Sequence, residues 1–169
     1  MERGSSLPLR NCQSRSFGIV STGVWHRLLS ASMSPVIHIH ASVHKRLIEH
    51  ARHAPHLECC GLLAGRDGVI TTALPAANAL AGPNTYEITS HELFALFLEM
   101  RRGGLDHLGI YHSHPAGDNS PSLRDIERAY YPEVAYFIIS PRVNAPRPVR
   151  AFSIKAGEAR ELEVEVVAG

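Results

Sequence analysis

The chain has 169 residues, 44% of them hydrophobic and 20% charged, with 17 Lys and Arg against 16 Asp and Glu. That length and apolar content fit one compact domain with its own core and exclude a wholly disordered chain. A formal net charge of +1 gives no electrostatic basis for nucleic-acid binding.

Residues 1–33 differ from the rest. They carry Arg3, Arg10, Arg15 and Arg27 against Glu2 alone, are rich in Ser, and show no steady apolar period. Their apolar run, Phe17 to Trp25, is interrupted by Gly18, Ser21, Thr22 and Gly23. It is too short for a membrane span and poor as a signal-peptide core. Arg-rich, Ser-rich and acid-poor also describes an organelle transit peptide; the favoured expectation is a disordered extension, or an over-long start ahead of Met33. The domain itself is expected over residues 34–169. No other segment reads as a membrane span. Three cysteines, two of them adjacent (Cys59 and Cys60), cannot build a disulfide framework, so the expected compartment is reducing, the cytoplasm.

From Pro35 the chain alternates element types. Val36-Ile37-His38-Ile39-His40 reads as a short strand. Ala41 to Ala54 reads as a helix, with Val43, Leu47 and Ala51 at four-residue spacing and Pro55 as its stop. Cys59 to Ala64 is an apolar strand, turned by Arg66-Asp67-Gly68 into a second strand, Val69 to Leu74. A loop with Asn78, Gly82 and Pro83 leads through Tyr86-Glu87-Ile88 to a helix capped by Ser90. That helix contains Leu93, Phe94, Leu96, Phe97 and Met100 and ends at Gly103-Gly104. Leu105 to His112 is a buried strand, Ser122 to Tyr130 a helix, and Val134 to Ser140 a further apolar strand. Val149 to Lys155 and Arg160 to Val167 flank Ala156-Gly157 as a hairpin. Its second arm alternates Leu162, Val164 and Val166 with Glu161, Glu163 and Glu165, so one face is wet. The expected fold class is α/β, a mixed sheet with helices packed on it.

The 11 histidines are the outlier of the composition, because imidazole titrates near neutrality and ligates metals. His112 and His114 stand two apart at a strand end, so both imidazoles project from one face. Two neutral imidazoles plus one carboxylate form a common catalytic zinc set that leaves a fourth position for water. Asp125, one turn into the following helix, is the nearest third ligand, and Ser122 at that helix's start places a hydroxyl by the same cavity. Ser122-Leu123-Arg124-Asp125 equally fits a capping box, which competes for the Asp125 carboxylate. His-x-His alone is weak: His38-Ile39-His40 repeats the spacing with no carboxylate at a suitable remove. Cys59 and Cys60 lie in an apolar strand without a Cys-x-x-Cys, so at least one belongs to the core. His91-Glu92 lacks the second His of His-Glu-x-x-His, and His44, His50, His53 and His56 read as a solvated helix face. Asp118 and Asn119 are expected to shape the loop over the metal.

The run from His112 to Asp125 resembles the signature of the JAMM (MPN+) zinc metallopeptidases, in which seven residues separate His-x-His from Ser-x-x-Asp. Here Pro115 to Pro121 fill that gap. Glu58-Cys59-Cys60-Gly61-Leu62-Leu63-Ala64-Gly65 is similar to the family's upstream segment, with Glu58 in the catalytic place; spacing alone does not make Glu58 a ligand. The resemblance covers Val36 to Val167. It implies a small single-domain, bacterial-type member with an α/β/α mixed-sheet JAB/MPN fold, like that of cytidine deaminases. It implies zinc on His112, His114 and Asp125, with Glu58 as general base and Ser122 as hydrogen-bond donor to the oxyanion. A carboxylate beside an apolar strand has a raised pKa suited to that work. The expected activity is hydrolysis of an amide bond at the C-terminal tail of a ubiquitin-like sulfur-carrier protein, the tail entering a narrow groove by strand addition. The alternatives are a zinc amidohydrolase on a small substrate and a non-catalytic scaffold of the same fold. The scaffold usually lacks one of the five motif positions, all of which are present here. No nucleic-acid or membrane partner is expected, and nothing in the sequence specifies an oligomeric state.

Overall fold

The computed structural model describes residues 35–169; the extension expected over residues 1–33, and the boundary that follows it, lie outside the described residues. The elements are β1 (Val36–His40), α1 (Ala41–His53), β2 (Cys60–Arg66), β3 (Val69–Ala76), α2 (Ser90–Gly103), β4 (Asp106–Ser113), α3 (Leu123–Glu127), β5 (Ala135–Ile139), β6 (Val149–Lys155) and β7 (Glu158–Val167).

Strands β2 and β5 read as unbroken apolar runs because both faces of the sheet are covered there. Alternate residues go to opposite sides. Leu63, Tyr111, Phe137 and Ile139 pack with Val43, Leu47 and Ala51 of α1. Leu62, Ile110, Tyr136 and Ile138 pack on the other side with Leu96 and Met100 of α2. This is the layered mixed-sheet arrangement expected from the sequence. Phe94, however, turns to solvent and is 64% exposed.

The strand order is β1-β3-β2-β4-β5-β6-β7, and β1 also pairs with β7, so the sheet closes on itself. The two sides of β1 are unequal. It runs parallel to β7 over five residue pairs, Val36↔Glu163 to His40↔Val167. Against β3 it holds only His38↔Val69 and Ile39↔Ile70. Beyond Ile70, β3 therefore has no strand partner on that side among the described residues. Pairing between strands so far apart in the chain left no local signal, which is why closure was not legible in the sequence.

Local turn chemistry follows the residues. Asp67 and Gly68 (φ 52° and 76°) join β2 to β3, and Ala156 and Gly157 (φ 51° and 80°) join β6 to β7. Left-handed conformations at both central residues give the tight hairpin twist, which a glycine at the second position makes cheap. Two expected boundaries are corrected. The cap of α2 is Thr89, whose hydroxyl accepts from the Glu92 N–H; Ser90 is the first helical residue. Helix α3 ends at Glu127, not Tyr130, because Arg128 leaves helical geometry (φ −101°, ψ 13°) and Tyr131, before Pro132, is disfavoured from helix.

Gly61 is fixed by close approach. A Cβ there would stand 2.4 Å from the Leu74 carbonyl oxygen and 2.6 Å from Tyr111 Cε1. Gly61→Ala is expected to cost about 3 kcal/mol or more, because backbone cannot step aside cheaply. Thermal unfolding should show a Tm lower by about 10 °C.

Candidate metal centre

The β4–β5 ladder places the histidines. His112 lies within β4, opposite Ile138, and is 1% exposed. One step past the strand, the His114 N–H still donates to Ile139 O at 2.9 Å, so the second imidazole is held in line with the first. The two Nε2 atoms stand 3.0 Å apart. Asp125 Oδ1 lies 3.1 Å from His112 Nε2, and Oδ2 lies 3.4 Å from His114 Nε2. One donor atom from each residue falls within 4.8 Å of the others, the single such group among the described residues. Tetrahedral zinc with bonds of about 2.0–2.1 Å spaces its ligands about 3.3 Å apart, so the donor set fits that ion in kind and in separation.

Tautomer supports the same assignment. His114 Nδ1 lies 2.7 Å from the Asp118 carbonyl oxygen, an acceptor only. The ring hydrogen therefore sits on Nδ1 and leaves the Nε2 lone pair facing His112 and Asp125. His112 is stacked on Tyr86, with centroids 4.6 Å apart and planes at 23°. Its own Nδ1 is buried with no hydrogen-bond partner among the described residues.

Asp125 shows that the two readings of Ser-x-x-Asp coexist. Its Oδ2 accepts from the Ser122 N–H at 2.7 Å and from the Ser122 hydroxyl at 2.6 Å, while Ser122 Oγ accepts from the Asp125 N–H at 3.2 Å. The capping box thus uses Oδ2, which also lies near His114, and leaves Oδ1 to His112. Burial works against the Asp125 charge, yet hydrogen bonds with His112, His114 and Ser122 outweigh it and hold the carboxyl far below the usual range. For His112 burial wins and lowers its pKa; for His114 burial is outweighed by its bonds to Asp125 and to the Asp118 carbonyl, and its pKa rises.

Glu58 is brought to this cluster by β2, which pairs Cys60 with His112. It is 5% exposed. Burial raises its carboxyl to about 7, with His114 and Arg124 pulling down and Asp125 pushing up. A carboxylate half-ionised near neutrality can take a proton and give it back. Two residues that sequence reasoning missed fix its backbone. Ser113 ties the end of β4 to the residue after Glu58: its hydroxyl accepts from the Cys59 N–H, and its N–H donates to Cys59 O, both at 3.0 Å. Asn78 donates to Glu58 O and Thr85 O at 2.9 Å, and its carbonyl oxygen accepts from the Leu80 and Glu87 N–H groups. In the sequence Asn78 is one more loop residue, since its partners are spread over residues 58–87.

A cavity of about 360 Å³ adjoins this cluster, lined by Tyr86, Leu93, Ile110, Asp125, Tyr131 and Tyr136. The other candidates fall away from it. Cys60 is fully buried, its thiol pushed by burial to about 12, and it belongs to the core. His38 faces Glu165 at 3.3 Å. His50 Nδ1 meets the Tyr111 hydroxyl at 2.9 Å, and His53 Nδ1 meets Glu49 O at 2.7 Å. As expected, Asp118 and Asn119 shape the loop: the first through its carbonyl, the second by donating from its buried amide to Arg147 O at 2.8 Å.

Comparison with known proteins agrees with the fold. Residues 40–155 match the family described as prokaryotic homologs of the JAB domain, and the chain belongs to that family. It is 35% identical to a desampylase of Haloferax volcanii over 133 residues, 75% of this chain and 93% of the relative. It is 31% identical to a CysO-cysteine peptidase of Mycobacterium tuberculosis over 134 residues, 78% and 92% of the two chains. A solution structure from Desulfitobacterium hafniense superimposes with a TM-score of 0.69 at 30% identity, covering 79% of this chain and 94% of that one. The fold is also that of a JAB1/MPN domain protein from Archaeoglobus fulgidus (TM-score 0.50, 22% identity, 80% and 98% covered). The chain is thus a peptide- or isopeptide-bond hydrolase of the prokaryotic JAB family. No helix among the described residues is long and apolar enough to cross a membrane.

The burial of Glu58 has a measurable cost. Its folded pKa of about 7 stands above the ordinary 4.5, so between these values the unfolded chain releases a proton that the folded chain retains. Stability therefore falls as pH rises through this window, and the loss is complete above it. In metal-free protein, Glu58→Gln should be more stable than wild type by about 2 kcal/mol at pH 8, with the difference shrinking toward pH 4. Unfolding curves at the two pH values check this.

Proposed function

We propose that this chain is a zinc-dependent peptidase or isopeptidase that hydrolyses an amide bond at the C-terminal tail of a ubiquitin-like sulfur-carrier protein. The observation that carries the reading is the convergence of His112, His114 and Asp125 within 4.8 Å beside the buried Glu58. The substrate class is supported by the names of the relatives, a desampylase and a CysO-cysteine peptidase.

In this reading His112, His114 and Asp125 would hold the ion, while Asp125 Oδ2 accepts from Ser122 in the cap. Zinc, when bound, supplies a Lewis acid that brings the pKa of a coordinated water to about 7 and polarises the scissile carbonyl. Glu58 accepts the proton of the attacking water and delivers it to the leaving amine, which a pKa of about 7 permits in both directions. Ser122 donates to the developing oxyanion. Its single hydrogen now lies on Asp125 Oδ2, so the hydroxyl must turn during the reaction while the Asp125 N–H keeps Oγ in place. Tyr86 holds the plane of the His112 ring. The short β1–β3 pairing leaves β3 beyond Ile70 without a strand partner among the described residues, an edge open to strand addition that ends at Ala76, opposite Cys60.

Zinc content of the purified protein tests the reading first. Wild type should carry one zinc per chain and His114→Ala little or none; a wild type without zinc sinks the proposal. Glu58→Gln should keep the metal and lose turnover by about 10²-fold or more, measured by mass spectrometry on carrier-protein conjugates. Full activity in that variant would remove Glu58 from the mechanism.

A further inference from the structure

The carbonyl that orients His114 belongs to a stretch, Pro115 to Ser120, with no regular secondary structure. Something must hold the Asp118 oxygen 2.7 Å from Nδ1, because a shift of about 1 Å would break that bond. Arg150, on β6, is the side chain that reaches it. Arg150 pairs with Ile138, and Ile138 pairs with His112, so the arginine stands two strands across from a ligand on the same face of the sheet.

Its guanidinium is fixed from three directions. Glu161 on β7 takes it in a fork, Nε to Oε1 and Nη2 to Oε2, each at 2.9 Å. The Phe152 ring lies 5.0 Å beneath. On the loop side Nη1 donates to Ser120 Oγ at 2.6 Å and lies 3.5 Å from Asp118 Oδ1, while the Ser120 hydroxyl donates to Asp118 Oδ2 at 2.9 Å. The Arg150 side chain is only 15% exposed, so these bonds meet little competition from water. A bidentate arginine fork fixes angle as well as distance, which a lysine would not do.

We propose that Arg150, braced by Glu161, is a positioning residue for the metal centre: through Ser120 and Asp118 it sets the carbonyl that receives the His114 Nδ1 hydrogen and so aims Nε2 at the ion. The inference rests on the reading of His114 as a ligand, but its effect on the ring exists before any metal binds. Groups that orient a metal-bound imidazole contribute about 10–100-fold in affinity.

Nitrogen-15 spectra of the histidine side chains in metal-free protein at pH 8 test it directly. Wild type should show His114 with the hydrogen on Nδ1, and Arg150→Met should show a mixture of tautomers. The same variant should bind zinc about 10–100-fold more weakly in competition with a chromogenic chelator. At saturating zinc its loss should fall on kcat, with KM within twofold of wild type. Arg150→Lys should recover part of the affinity. Ser120→Ala leaves the Arg150–Glu161 pair intact and keeps the test open if Arg150→Met does not fold; one lost bridging bond should weaken zinc about 3–10-fold. Wild-type tautomer and zinc affinity in both Arg150→Lys and Ser120→Ala would overturn the assignment. Should wild type take up no zinc while the tautomer still shifts in Arg150→Met, the peptidase reading fails and the hold of Arg150 on His114 stands.

Discussion

The division of one carboxylate organises the site. Asp125 Oδ2 closes the first turn of α3 by accepting from Ser122, and Oδ1 reaches His112. Each bond makes the other possible. The cap prevents the side chain from turning to water, and the imidazoles give the ionised form partners that offset its burial. Without the cap, the third donor would hang on a free rotamer; without the histidines, a charge would sit buried beside Tyr86 and Glu58 with one neutral partner.

Glu58 shows the opposite economy. His114 and Arg124 only partly offset its burial, which leaves it poised near pH 7. The scaffold that enforces this fixes the backbone around Glu58 through the reciprocal Cys59–Ser113 bonds and the Asn78 bridge to Glu58 O and Thr85 O. Stability lost by burying Glu58 is offset in the packed faces of β2, β4 and β5.

Much of this was legible in the chain because the signals are local. His112, His114, Ser122 and Asp125 fall within fourteen consecutive residues, and strand alternation together with a loop of fixed length is enough to bring them together. The hairpins announced themselves through Asp67-Gly68 and Ala156-Gly157. What stayed hidden depends on long-range pairing. The β1–β7 closure, the Asn78 bridge, Tyr86 stacked on His112 and the Arg150–Ser120 contact each join segments about thirty or more residues apart, or lie in loops without a period. The α2 cap went to Thr89 instead of Ser90 because both residue types cap well and only the backbone bend decides between them.

Helix α3 has five residues and no fully buried side chain. So short a helix has little stability of its own, since nucleation costs more than a single turn returns. Its hold on the domain runs through the Asp125 carboxylate and through Ile126, which packs on the core. An ion at that point would act as a rivet, and amide hydrogens of residues 122–128 would exchange with solvent far more slowly in loaded protein than in stripped protein. If the proposed ion binds there, metal occupancy and the local folding of this short helix would be coupled in one equilibrium.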